Sequence, residues 1–186
     1  MIKHIDLKPY MNIRQFSGAD CKSLLPAAKL PRTVRFGNVS FALSKNDAGF
    51  DTVVCAAQEI PLNVTASSLC LLGFSTWGSY SEYMDIHFSS GESELREFGF
   101  YDVHYFDSMR QAKLHPKDQM PFEKGCRQVT VLRNDRGQPE AALFFYRIRL
   151  SRCAEVSRIV LPDNEYISIL AVTAETAGST SDGAEP

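Results

Sequence analysis

Asp102 and His104 stand two residues apart in "FYDVHYF", so an extended backbone would turn both side chains to one face. The pair offers a carboxylate acceptor beside an imidazole, and with His87 or His115 it could approach a transition metal. Against a metal site, no HxH pair occurs, and a solvated or hydrogen-bonded histidine is the plainer reading. The chain also lacks a GxSxG elbow, a P-loop, a GxGxxG turn and an HExxH helix signature. Glu59, Asp85, Asp102 and Asp107 show no spacing that marks an acid/base pair; such pairs are defined in space, and solvated or turn-capping carboxylates explain each of them. Aromatic residues are more suggestive. "FSTWGSYSEY" sets Trp77 and Tyr80 in a Gly/Ser-rich stretch just after an apolar run, where the backbone should turn. Flat rings at such positions suit a sugar, whose C–H face stacks on an aromatic plane while its hydroxyls need directed polar partners. The structural alternative is that Trp77 packs at a strand end. Trp77 and Tyr80 as stacking rings, with Asp102 and His104 as polar neighbours, are therefore the candidate ligand residues.

The elements that must position them are strands. "NVSFAL" places Val39, Phe41 and Leu43 on one face, and "EYMDIHF" places Met84, Ile86 and Phe88 on one face, the period-two pattern of half-buried strands. "SLCLLGF" at 68–74 and "AALFFYRIRL" at 141–150 are apolar on both faces over part of their length, as central strands of packed sheets are. "RQVTVLR", "AEVSRIVL" and "YISILAVT" add short β-branched runs. Ser90-Gly91-Glu92, Asn134 to Gly137 and Pro162-Asp163-Asn164 supply turn chemistry between them. Roughly nine strands without helical crossovers predict an all-β fold, a single antiparallel β-sandwich or jelly roll. Two stretches break the rhythm. Residues 102–126 carry Pro116 and Pro121 and are expected to fold over an edge or end of the sandwich, and the polar end predicts a disordered tail at 175–186 after a domain at 1–174.

Bulk properties narrow the function. A chain of 186 residues suits one domain, and 44% hydrophobic with 23% charged residues is the mix of an ordinary globular protein. A formal net charge of -2 gives no field that would attract phosphate backbones or anionic lipid, so neither nucleic acid nor membrane is expected as a partner. "MIKHIDLKPYMNIRQF" holds no apolar stretch of about 7 to 15 residues of the kind a secretory signal uses, which predicts a cytoplasmic chain. Five cysteines without CxxC spacing read as free thiols.

In order and spacing, several phrases resemble the galactose-binding-like β-sandwich modules attached to many glycoside hydrolases. They are Asp6-Leu7 with Met11-Asn12, "GNVSF" at 37–41, Asp51, Val53, Gln58, Ile60 and Leu62, then Leu69 to Gly73, Ser90-Gly91, Asp102, Leu161-Pro162 and Ile169 to Thr173. The chain departs from the pattern at Ala57, Ser90 and Val103. The resemblance implies a module that binds carbohydrate through loops at one end of a sandwich and requires no cofactor. It also implies a structural calcium in related modules, for which this chain offers Asn12 and Asp20, with Asp51. Two other classes stay open: an interaction module that packs on a glycoside hydrolase partner or on itself as a homo-oligomer, and a small glycoside-processing enzyme.

Overall fold

The computed structural model describes residues 1–16, 30–104, 125–133 and 136–176. Among them are ten strands, one 3-10 turn at Lys8–Tyr10 and no α-helix. The strands are β1 (Ile2–His4), β2 (Thr33–Phe36), β3 (Val39–Ala42), β4 (Val53–Ala56), β5 (Glu59–Ser75), β6 (Tyr80–Phe88), β7 (Ser93–Phe100), β8 (Cys126–Arg133), β9 (Pro139–Val160) and β10 (Asp163–Glu175). All named strand pairs are antiparallel. The all-β sandwich expected from alternation is the fold.

The main sheet has eight strands in the order β1-β10-β5-β9-β6-β7, with β4 also on β10 and β8 also on β9; β2 and β3 form a separate hairpin. The runs "AALFFYRIRL" and "AEVSRIVL" look like two strands in the sequence but form one strand, β9, of 22 residues. Its first half pairs with β8 and its last residues with β6, while β5 runs along its other edge. Strands this long can serve both layers only if they bend. Register shifts between Pro61 and Val64 and between Ala66 and Ser68 supply the bends, since an extra residue in one strand kinks it and sharpens its twist.

Period two then explains why residues 69–74 are apolar without a break. One face of β5 and β9 carries Leu72 and Phe145, covered by the β2–β3 hairpin, whose Phe36 ring stacks on Phe145 at 4.6 Å. The opposite face carries Gly73 and Phe144, covered by β7, where Phe98 and Phe100 are wholly buried. Burying each such ring contributes about 1.5–3 kcal/mol. Gly73 is required by this packing: a Cβ there would lie 2.3 Å from the Ser168 carbonyl oxygen and 2.7 Å from the Phe100 ring.

The polar residues of the opening segment are framework. Asn12 forms a two-bond ring with the main chain of Val54, donating from Nδ2 to its carbonyl (2.9 Å) and accepting from its N–H (2.8 Å). Asp51, 1% exposed, accepts from Gln15 N, Phe16 N and Thr52 Oγ1. Gln58 bridges the turn between β4 and β5, accepting from Ala56 N and donating to the Val54 carbonyl, both at 2.7 Å. Such contacts hold strand ends whose main-chain groups would otherwise lack partners. β10 continues through Glu175, one residue beyond the boundary expected for the domain. Residues 177–186, and most of the 102–126 stretch, lie outside the described residues.

Candidate functional site

β5 ends at Ser75, and after four intervening residues β6 begins at Tyr80. The reversal between them is made with a left-handed Trp77 (φ 61) followed by Gly78 (φ 137). Glycine enters that region freely, whereas a bulky L-residue there is an outlier that costs about 1–2 kcal/mol unless its surroundings hold it. The surroundings do so through Asp102. Its Oδ2 accepts the Gly78 N–H at 2.8 Å, its Oδ1 accepts the His104 N–H at 2.8 Å, and its own N–H donates to Ser79 Oγ at 3.0 Å. The segment carrying Asp102 is itself laced into the sheet: Ser75 N donates to the Tyr101 carbonyl, Val103 N to the Ser75 carbonyl, and Ala142 N to the Val103 carbonyl.

Trp77 is thereby held outward, with 79% of its surface exposed. Tyr80 stacks on Tyr166 of β10, with centroids 5.2 Å apart and planes 14° apart, and the Thr76 N–H donates to the Tyr166 carbonyl, which fixes the two tyrosines beside the tryptophan turn. A polar pair borders the rings: Asn164 Nδ2 donates to Glu82 Oε1 at 2.9 Å, and Asn164 Oδ1 accepts the Tyr166 N–H. His104 turns away from this group; its Nδ1 lies 3.2 Å from the Glu140 carbonyl. Because a carbonyl only accepts, Nδ1 carries the proton, and Nε2 of the neutral ring is left as an acceptor.

The structure thus brings Trp77, Tyr80 and Asp102 together, while His104 joins through its main chain. Asp102 has a different task from a free acceptor, because both oxygens are engaged by N–H groups of the chain. Tyr166, Glu82 and Asn164 were not singled out in the sequence. Glu82 lies two residues beyond Tyr80, but nothing in the local pattern sets it apart from the other carboxylates; Asn164 and Tyr166 reach the site across the sheet from more than 80 residues away. Of the calcium donors, Asn12 spends its amide on Val54 and Asp51 on the opening segment, while Asp20 lies outside the described residues. Among the described residues, no three His, Cys, Asp or Glu side chains gather as metal ligands, and no helix is long and apolar enough to cross a membrane.

No curated protein matches this chain. A family model does, over residues 12–178, which takes in strands β2 to β10, the tryptophan turn and its Asp102 brace, and the chain accordingly belongs to the AziU2-like beta-sandwich domain family.

Proposed function

We propose that this chain is a binding module that docks on a partner protein through its aromatic end. The observation that carries the reading is the exposed Trp77 on a left-handed backbone, clamped by Asp102. Exposing an indole forgoes the stabilisation of burying it, and the backbone adds strain, so the arrangement makes physical sense where a second surface covers the ring. Trp and Tyr dominate the energetics of protein interfaces because they bury large rigid areas at little entropic cost. Asp102 is engaged internally, so Trp77, Tyr80 and Tyr166 contribute mainly ring surface.

One observation favours carbohydrate as a second reading: the Glu82–Asn164 pair sits beside the tyrosine stack, a polar group next to an aromatic plane as pyranose recognition requires. The chain's single tryptophan separates the two by fluorescence. Titration with proteins encoded beside it should shift the emission of a water-exposed indole to the blue. A shift produced only by millimolar mono- or oligosaccharides would replace the first reading with the second, and a shift that grows with the chain's own concentration would make the partner a second copy. Emission unmoved by all three would sink both readings.

A further inference from the structure

At the other end of β10, seven residues and about 23 Å from Tyr166 along the strand, three side chains from three strands line up. His4 of β1 is paired with Thr173 of β10, and its Nδ1 lies 3.2 Å from Thr173 Oγ1. Its Nε2 lies 3.4 Å from Ser40 Oγ on β3. Thr173 Oγ1 donates its one proton to the Ser40 carbonyl at 3.0 Å. The threonine hydroxyl can therefore only accept from His4, which places the imidazole proton on Nδ1 and leaves Nε2 as the acceptor for the Ser40 hydroxyl. A hydroxyl facing a bare imidazole nitrogen whose other nitrogen is fixed by a third group is the arrangement of an activated nucleophile, and such contacts run long before substrate binds.

Two further features surround this row. The β2–β3 hairpin turns at Gly37 and Asn38, with Gly37 at φ 56, and Leu43 N donates to the Arg32 carbonyl. Counting back from that bond, Ser40 occupies a position whose N–H and C=O both point away from β2. Its carbonyl meets Thr173, and its N–H leaves the hairpin in the same direction, uncommitted to the β2 ladder. Beside His4 opens a cavity of about 270 Å³, with Ile5, Leu7, Met11 and Leu170 as apolar walls and Lys8 and Ser44 among its polar residues.

We propose that Ser40 is a nucleophile activated by His4, acting on carboxylic esters whose short apolar acyl chain enters this cavity. Ser40 Oγ bonds to the acyl carbon while its proton passes to His4 Nε2, and the carbonyl π pair moves onto oxygen. Collapse breaks the bond to the leaving alcohol, which takes the proton from His4. Water, deprotonated by the same nitrogen, then releases the acid and restores Ser40. Thr173 is a positioning residue that sets the tautomer.

The test uses a fluorophosphonate, which traps such a serine by forming Oγ–P and expelling fluoride, together with p-nitrophenyl butyrate hydrolysis. Peptide mass spectrometry should find one adduct per chain, on Ser40. Ser40→Ala should abolish both signals, and His4→Gln should slow them about 100-fold or more at unchanged circular dichroism. Thr173→Val should lose most of the rate and Thr173→Ser should recover it, a pattern that a merely structural role would not give. Absence of an adduct on Ser40, or wild-type labelling by His4→Gln, would overturn the proposal.

Discussion

Replacing Trp77 by asparagine should make the fold more stable while abolishing what the site does. The residue sits at φ 61 and is 79% exposed, so its ring contributes little burial while its backbone carries strain. A left-handed L-residue costs about 1–2 kcal/mol, and asparagine tolerates that region better than most because its short amide can bond locally. Trp77→Asn should recover part of the strain, about 0.5–1 kcal/mol, raising Tm by about 1–4 °C in a domain of this size. Trp77→Gly relieves more strain, but the freer unfolded chain takes back about 0.5–1 kcal/mol, so it should fall between Asn and wild type. Trp77→Ala keeps a Cβ in the same conformation and should lie within about 0.5 kcal/mol of wild type. Urea melts and calorimetry of the four proteins give the ranking. If Trp77→Asn is the less stable protein by more than about 0.5 kcal/mol, the indole packs and the strain argument fails. If alanine stabilises as much as asparagine, φ is not the cause. A stabilised Trp77→Asn that also loses its partner would be the signature of a site where conformation has been traded for binding.

Three other outcomes are expected. Gly73→Ala should cost about 1–3 kcal/mol of stability, read as a lower urea midpoint at unchanged slope, because the new methyl meets a main-chain oxygen and the Phe100 ring; a neutral result would mean that β10 can move away. Burial pushes the Glu94 carboxyl up, but bonds from Arg96 (2.9 Å) and Ser151 N (3.3 Å) outweigh it, so its pKa is lowered below the ordinary 4.5. A lowered folded pKa means that stability is present above the unfolded value and drains as pH falls through the folded one, so the stability gap between wild type and Glu94→Gln should narrow from pH 6 to pH 3; parallel curves would refute it. Of the four cysteines described, Cys153 is exposed, whereas burial pushes the Cys70 thiol up to about 12 and raises Cys55 further. Iodoacetamide at pH 8 should therefore modify Cys153 and spare Cys55 and Cys70, read by peptide mass spectrometry.

Much of the fold was legible because side-chain alternation is a local signal. Met84, Ile86 and Phe88 face the core as their spacing predicts, and the double-sided run at 69–74 lies between two covering hairpins. Strand count was less legible, because bulges allow β5 and β9 to serve both layers while a hydropathy pattern shows only the interruption. The aromatic end was half legible. Trp77 and Tyr80 stood out by composition, but the role of Asp102 depends on a chain segment laid between Ser75 and Ala142, and Tyr166 arrives by pairing.

What the sequence alone determined is therefore the class of fold, the inward faces of most strands and the turns at Ser90-Gly91 and Pro162, all of which follow from interactions a few residues apart. Tertiary structure alone decided which distant residues became neighbours. The outward Trp77 beside the Tyr80–Tyr166 stack and the His4–Ser40–Thr173 row both depend on strand order and register. Local periodicity carries no record of either, since contacts across 36 or more residues are set by how whole faces bury one another.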